Sequence, residues 1–464
     1  MPRTLLVDAV GSCIAIDLSA LDDGDEAAVR AAWADAAADA GARAVATVTP
    51  YDTDRSSMLS ALSQQVTLAA IEAARGRAWM LHAAGIATPD GDVVVLVGPS
   101  GRGKTTASRA LGAVYGYVSD ETIAIDHDGR VWPYRKPLSV IEDPAAPKTQ
   151  HPPSALGLRP LPSAELRVAA VVLLDRDEEH PESPLVEVTD LGTALEALVS
   201  QTSFLHDQPA PLRFIAALAT ATGGVRTVKY RDAATLPSVI ADLIRPSAAI
   251  VLPERPAHIA PVADPEHLGP RFSRVEVVDE VSVEDPDRIA LLTITGHQGH
   301  VTLLGGIGPA VWRAADGATL RQLTDAAVTA HDPPEDFDAE SAVLAAVGLL
   351  LDAGLLSSDE PVIARRDEVV WVDVDDPATA RPVGPDIDDQ LARAAALTGS
   401  TALIWEWLDE PRTMTQLIVR AMMTGSDPAG DAVDDVPTAV AELIESGLLE
   451  ERVLQPGAPT FVVR

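Results

Sequence analysis

A glycine-rich segment, Gly98-Pro-Ser-Gly-Arg-Gly-Lys-Thr105, contains the residue types that bind a triphosphate. In the pattern GxxxxGK(S/T), the Walker A motif, glycines let consecutive backbone N–H groups curl around phosphate oxygens. Lys104 would contact the β and γ phosphates, and the Thr105 hydroxyl would hold Mg²⁺. A helix that begins near Lys104 adds the positive end of its dipole. We therefore predict a phosphate loop (P-loop) that binds a nucleoside triphosphate, ATP, together with Mg²⁺.

The residues on either side support this interpretation. The apolar run Val93–Val97 predicts a buried strand before the loop, and the pattern from Lys104 to Gly112 predicts a helix after it. A glycine-rich turn without a ligand is the alternative, and the strand–loop–helix order argues against it. The residues predicted to bind the nucleotide are Gly98, Pro99, Ser100, Gly101, Arg102, Gly103, Lys104, Thr105 and Thr106.

Two acids and a histidine are the candidates for chemistry beside the loop. His82 lies in the predicted strand Trp79–Ala87, and Asp120 and Glu121 lie in the predicted strand Tyr117–Ile125. Phosphoryl transfer requires neutralisation of the γ-phosphate, a divalent metal and a carboxylate that orients the attacking hydroxyl. Lys104, Mg²⁺ and Asp120 could supply all three, which indicates a kinase, a transferase of phosphoryl groups.

Three motifs together resemble the catalytic domain of HPr kinase/phosphorylase and its relative phosphoenolpyruvate carboxykinase. They are Leu81-His-Ala-Ala-Gly-Ile86 on the strand that enters a hairpin, the loop Gly98–Thr105, and Val118-Ser-Asp-Glu121. The resemblance covers residues 60–140, and residues 1–245 more loosely. It implies a mixed-sheet α/β P-loop kinase domain.

The resemblance also implies roles for single residues. Asp120 falls where the family keeps its catalytic acid, which accepts the hydroxyl proton or binds metal, and His82 falls near the transferred phosphate. Glu121 falls where a second aspartate is usual, so that Thr105, Asp120 and Glu121 are the implied metal ligands. The family's C-terminal signature for phosphorolysis is not recognisable, which puts phosphorylase activity and HPr as substrate in doubt. Arg135 and Lys136 are expected to be solvated, with contact to phosphate or an acidic substrate as the alternative.

The rest of the chain predicts three further segments. A Pro-rich linker at 246–270 follows the kinase domain at 1–245. Beyond it, one set of residues recurs 93 positions later, which indicates a duplicated domain at 271–360 and 361–464. The recurring residues are Leu304, Trp312, Gly354, Leu355 and Leu356, repeated as Leu397, Trp405, Gly447, Leu448 and Leu449. Strands Arg288–Thr295 and His300–Leu304 are predicted to open the first copy.

Each copy resembles the PqqD-like fold, a small α+β winged helix that recognises leader peptides. The residues that carry the resemblance in the first copy are Val301-Thr-Leu-Leu304, Ala310-Val-Trp312 and Asp352-Ala-Gly-Leu-Leu356. In the second copy they are Ala402-Leu-Ile-Trp405 and Glu445-Ser-Gly-Leu-Leu449, and an acidic stretch through Asp386–Asp389 replaces the strand pair. Trp312 and Trp405 are expected in the core, so peptide binding would rest on the exposed sheet edge.

Charge and composition exclude several classes of function. The chain of 464 residues has a formal charge of −34, and residues 248–464 contain 38 acids and 14 basic residues, which gives −24. Such a surface repels nucleic acid. No apolar run approaches the roughly 18 residues that span a bilayer, and the single Cys13 excludes an intramolecular disulfide. We expect a cytoplasmic protein that binds neither nucleic acid nor membrane.

Two functions fit these observations better than a third, a DNA-binding transcription regulator, which the acidic charge disfavours. The first is an ATP- and Mg²⁺-dependent kinase that phosphorylates a Ser or Thr hydroxyl of a peptide or small protein, which the PqqD-like modules recruit in modified-peptide biosynthesis. The second is a non-catalytic ATP-binding adaptor that docks onto a peptide-modifying enzyme.

Overall fold

The protein is a mixed α/β structure that divides into two compact units. The first consists of Met1–Arg255, Val278–Asp285 and Ile289–Leu303, and the second of Pro256–Val277, Pro286–Arg288 and Leu304–Arg464. The computed structural model describes residues 3–51, 54–99, 103–140, 149–245, 248–261, 269–283, 287–296, 298–334, 337–367, 369–372, 379–382, 395–397, 399–424 and 432–453. None of the helices within these ranges is long and apolar enough to cross a membrane.

Strands and helices are numbered along the chain. The strands are β1 Thr4–Ala9, β2 Ser12–Asp17, β3 Ala46–Val48, β4 Trp79–Leu81, β5 Ala83–Ala87, β6 Asp92–Val97, β7 Gly116–Ser119, β8 Ile123–Ile125, β9 Val131–Trp132, β10 Leu138–Val140, β11 Thr149–His151, β12 Arg167–Arg176, β13 Leu185–Val188, β14 Thr202–Ser203, β15 Arg226–Tyr230, β16 Arg271–Arg274, β17 Asp279–Val283, β18 Arg288–Thr295, β19 Gln298–Leu304, β20 Asp316–Thr319, β21 Leu356–Ser358, β22 Val362–Arg365, β23 Val369–Val372, β24 Thr379–Pro382, β25 Ala395–Ala396, β26 Arg412–Thr413 and β27 Leu449–Arg452. The helices are α1 Asp23–Ala32, α2 Arg55–Ala74, α3 Lys104–Gly112, α4 Leu191–Val199, α5 Pro211–Ala221, α6 Pro237–Leu243, α7 Gly308–Ala314, α8 Leu320–His331, α9 Ala339–Asp352, α10 Ser400–Trp407, α11 Met414–Met423 and α12 Ala432–Glu445.

A six-stranded mixed sheet, in the order β13-β15-β12-β6-β5-β7, forms the centre of the first unit. Strand β12 pairs in parallel with both β6 and β15, whereas β5 is antiparallel to both β6 and β7. The predicted strand before the loop is confirmed as β6. Residues Val93–Val97 are fully buried because apolar clusters cover both faces of the sheet.

Helices pack on both faces of this sheet. Side chains of α3 and α6 form one apolar cluster with it, and side chains of α4 and α5 form the other. A smaller sheet, β1-β2-β3, packs with α1 and α2 in a third cluster. In α2 the side chains of Leu62, Val66 and Ala70 are fully buried, because residues four apart share one face of a helix.

Each of two predicted strands is interrupted once. The interruptions contain the candidate catalytic residues His82, Asp120 and Glu121. Trp79–Ala87 becomes β4 and β5 with His82 between them, and Tyr117–Ile125 becomes β7 and β8 with Asp120 and Glu121 between them. Strands β4 and β8 belong to a second sheet, β14-β4-β8-β9, whereas β5 and β7 belong to the six-stranded sheet. The chain therefore passes from one sheet to the other at these residues, and the expectation of continuous strands is wrong.

The three-stranded sheet β17-β18-β19 contributes mainly to the first unit. Val281, Val283, Ala290 and Leu292 lie in the apolar cluster that also contains residues of α4 and α5. The strand pair predicted at Arg288–Thr295 and His300–Leu304 therefore forms, but it packs in the apolar cluster of the six-stranded sheet.

The second unit contains two halves with one order of elements. Each half has a three-stranded antiparallel sheet, β20-β16-β21 in one and β26-β22-β27 in the other. Three helices follow the central strand in each half, α7 to α9 and then α10 to α12. Trp312 and Trp405 are each 1% exposed, as expected of core residues. The acidic stretch Asp386–Asp389 lies outside the described residues.

Candidate functional site

The phosphate loop connects β6 to α3, as its pattern predicts. Gly98 follows the last residue of β6, and Lys104 is the first residue of α3. Gly103 has φ +91°, a left-handed conformation that L side chains rarely adopt. Ser100, Gly101 and Arg102 lie outside the described residues.

Lys104 closes the described part of the loop. Its side chain is buried, and Nζ donates a hydrogen bond to the carbonyl oxygen of Gly98 at 2.6 Å. Burial lowers the pKa of Lys104, because the charged ammonium loses hydration. Pro99, Thr105 and Thr106 are exposed, so the hydroxyls at the start of α3 are open to a ligand.

The phosphate loop and the two strand breaks lie at the same edge of the six-stranded sheet. Strands β6, β7, β12 and β15 run in the same direction, since β12 is parallel to β6 and β15, and β5 is antiparallel to β6 and β7. Their carboxyl ends therefore lie at the edge from which the phosphate loop leaves β6, and β5 begins there. In open α/β sheets this is the edge where ligands bind.

His82 and Glu121 meet at this edge across the two breaks. The Nδ1 atom of His82 lies 3.0 Å from the carbonyl oxygen of Glu121, which also accepts the backbone N–H of Ala83 at 3.2 Å. Burial and the positive charge of Lys104 lower the pKa of His82, whereas the carboxylates of Glu121 and Asp120 raise it. The net shift is downward, so the imidazole is neutral near pH 7.

Asp120 lies beside His82 in a partly buried position. Its Oδ1 atom accepts a hydrogen bond from the hydroxyl of Tyr117 at 2.9 Å. Burial raises the pKa of Asp120, and the charge of Lys136 and the Tyr117 hydrogen bond only partly offset this effect. The carboxylate thus has a higher proton affinity than a free aspartate, which suits a group that accepts a proton.

Lys136 is a buried cation next to the two acids. It forms an ion pair with Glu121, and its Nζ atom lies 3.4 Å from the Ser63 hydroxyl on α2. Arg135 is also buried, and it donates to the carbonyl oxygen of Arg159 at 3.1 Å. The expectation that Arg135 and Lys136 are solvated is wrong, because distant segments cover them.

Asp175 is a further candidate residue that the sequence interpretation missed. It follows the apolar run Val168–Leu174 near the carboxyl end of β12, the strand beside β6. Leu174 lies next to the loop, since a Cβ atom on Gly98 would be 3.3 Å from its carbonyl oxygen. The sequence signal for Asp175 is an acid at the end of an apolar strand. That this strand lies beside β6, and so near the loop, is known only from the order of strands in the sheet.

The hydroxyl at the start of α3 and the two acids at the strand break are residue types that can bind magnesium beside a phosphate. Magnesium keeps several waters and takes one or two carboxylates in addition to substrate phosphates. Thr105, Asp120 and Glu121 are the residues that could contribute, although Glu121 is already paired with Lys136. Within the described ranges no three His, Cys, Asp or Glu residues form a cluster that would bind a metal without a substrate.

Comparisons with known proteins gave one kind of match. No family model matches the chain, and a search of curated proteins found no match. Among solved structures, the HPr(Ser) kinase/phosphatase from Coxiella burnetii matches with 15% sequence identity and a TM-score of 0.21. The match covers 35% of this chain and 92% of that chain.

Proposed function

We propose that the protein is an ATP- and Mg²⁺-dependent kinase that phosphorylates a Ser or Thr hydroxyl of a peptide or small protein. The observation that carries the proposal is the convergence of three sequence-distant segments at one sheet edge. They are the loop that ends in Lys104, the break at His82 and the break at Asp120. Phosphoryl transfer requires a cation at the phosphates and a group that orients the attacking hydroxyl, and Lys104 and Asp120 at the same sheet edge could supply both.

In the reaction, the acceptor hydroxyl oxygen forms a bond to the γ-phosphorus of ATP, and the bond between that phosphorus and the bridging oxygen breaks. ADP leaves with the electron pair of the broken bond. Asp120 accepts the hydroxyl proton, and Lys104 balances charge on the phosphates after it leaves the Gly98 carbonyl. Bound Mg²⁺ would neutralise phosphate charge from Thr105, Asp120 and Glu121. Neutral His82, whose pKa responds to the charge of Lys104, would orient an oxygen of the transferred group.

The second unit would recruit the peptide through two PqqD-like winged-helix modules. The duplication supports this part of the proposal: Arg274 donates to the carbonyl oxygen of Trp312 at 3.0 Å, and Arg365 donates to that of Trp405 at 3.1 Å. Each half also has a short three-stranded sheet with two edge strands, to which an extended peptide could add. Tethering raises the local concentration of the substrate.

The test is transfer of labelled γ-phosphate from ATP to candidate Ser- or Thr-containing peptides, which include any precursor peptide found in the genomic neighbourhood. We expect transfer by the wild type, and a loss of at least 100-fold in both Asp120→Asn and Lys104→Ala, since each removes a group that acts in the transition state. Asp128→Asn, which changes an exposed acid in a nearby turn, is the matched control and should retain full activity.

The second candidate is a non-catalytic adaptor that binds ATP and docks onto a peptide-modifying enzyme. The ion pair between Glu121 and Lys136 favours it, because a carboxylate that is already neutralised is a weaker metal ligand. Tight ATP binding by the wild type without transfer to any peptide would support the adaptor and reject the kinase.

A further inference from the structure

Tyr230 is a buried residue of the first unit with an unused hydrogen-bonding group. It is the last residue of β15, and its side chain is 1% exposed. Its hydroxyl has no hydrogen-bond partner among the residues that the structure describes. The two other buried tyrosines of the described chain are different, since Tyr117 bonds to Asp120 and Tyr134 bonds to Thr67. A buried hydroxyl without a partner costs free energy, so this group requires an explanation.

The position of this hydroxyl supplies one. A Cβ atom on Gly103 would lie 3.3 Å from the Tyr230 hydroxyl oxygen and 3.4 Å from Cδ of Arg176. The hydroxyl therefore lies against the turn at which the phosphate loop becomes α3. Helix α3 has nine residues, and its first N–H groups have no acceptor within the helix. Burial raises the pKa of Tyr230, which keeps the hydroxyl protonated and able to donate.

We propose that Tyr230 is a phosphate-binding residue whose hydroxyl donates a hydrogen bond to an oxygen of the triphosphate in the loop. This inference rests on the proposed function, because it requires a nucleotide in the loop. It explains why a hydroxyl is retained at the end of an otherwise apolar cluster, which includes Ala107, Leu111 and Leu236. A phenylalanine would fill the same volume without the desolvation cost.

The experiment measures the affinity of the full chain for a fluorescent ATP analogue with Mg²⁺, with inorganic triphosphate as a competitor. We expect Tyr230→Phe to weaken both ligands by the same factor, about ten-fold, since each loses one hydrogen bond to a charged oxygen. The melting temperature without nucleotide should not fall, because no internal hydrogen bond is removed. Tyr115→Phe, in the same apolar cluster, is the matched control and should bind like the wild type.

The outcomes separate this inference from the proposed function. If Tyr230→Phe binds both ligands within two-fold of the wild type while Lys104→Ala binds neither, the inference is overturned and the nucleotide site stands. If Tyr230→Phe weakens the ATP analogue but not triphosphate, the hydroxyl contacts the nucleoside and the inference is again overturned. If the wild type and Lys104→Ala bind equally, the loop is not a nucleotide site and both proposals fail.

Discussion

At the scale of single residues, Asp120 combines an unfavourable environment with a position suited to catalysis. Burial disfavours its charged form, and the hydroxyl of Tyr117 and the charge of Lys136 compensate only in part. Natural proteins commonly keep such destabilised groups at functional sites. A substitution that removes the charge of Asp120 should therefore lower activity and raise stability.

We expect Asp120→Asn to raise the melting temperature near pH 7 while it abolishes transfer. The folded-state pKa of Asp120 lies above the unfolded value near 3.8, so the folded state binds more protons between these two values. The protein consequently loses stability as the pH rises from the unfolded pKa of Asp120 to its folded pKa. The amide that Asp120→Asn introduces does not ionise and so avoids this loss. Thermal unfolding from pH 7 towards pH 4 should show the advantage of the variant shrinking as the pH falls. A variant that melts below the wild type at pH 7 would show that the carboxylate is needed for folding.

Asp175 supports a second prediction at this scale. P-loop enzymes take a metal-binding acid from a strand near the loop, and Asp175 lies near the end of β12 beside β6. We expect Asp175→Asn to weaken ATP binding by about ten-fold in Mg²⁺ and to leave binding in EDTA unchanged. The control is Asp177→Asn, which alters an exposed acid two residues later. Equal losses with and without Mg²⁺ would contradict a role at the metal.

At the scale of elements, the two halves of the second unit begin corresponding helices with the same device. Thr319 and Gln322 form a capping box at α8, and Thr413 and Gln416 form another at α11. In each box the threonine hydroxyl accepts a backbone N–H, and the glutamine side chain accepts the N–H of the threonine. The repeated threonine and glutamine thus cap the start of a helix in both copies.

Loss of either cap should destabilise the second unit by a similar amount. We expect Thr319→Ala and Thr413→Ala each to lower its free energy of unfolding by about 1 kcal/mol. Chemical denaturation followed by tryptophan fluorescence would measure this, because Trp312 and Trp405 lie in the two cores. Thr319→Ser and Thr413→Ser retain a hydroxyl and should recover most of the loss. A serine variant as unstable as its alanine counterpart would argue against the hydrogen bond as the cause.

At the scale of the whole molecule, the first unit is not one continuous stretch of the chain. It consists of residues up to Arg255 and two later segments. Residues from β17 to β19 return to its core after a passage through the second unit. The fully buried carboxylate of Asp279 on β17 accepts hydrogen bonds from the backbone and side chain of Arg213, at 3.0 Å and 2.9 Å. The first unit is therefore built from separate pieces of the chain.

This arrangement predicts the behaviour of fragments. A fragment of residues 1–255 should melt well below one of residues 1–304, since it lacks four side chains of the first unit's apolar core, worth about 1–2 kcal/mol each. Those side chains are Val281, Val283, Ala290 and Leu292. Differential scanning calorimetry of both fragments tests the point. If the shorter fragment melts at the same temperature, β17 to β19 do not stabilise the first unit.

The sequence by itself determined the loop, its strand and its helix, because glycine conformation, apolar runs and helix caps act over a few residues. It also indicated the duplication, and it placed both tryptophans in the core. Only the tertiary structure decided that the strands break at His82 and Asp120, that Arg135 and Lys136 are buried, and that Asp175 and Tyr230 lie near the loop. Each of these depends on residues distant in sequence, and the pairing of strands that brings such residues together is set by the packing of the whole unit.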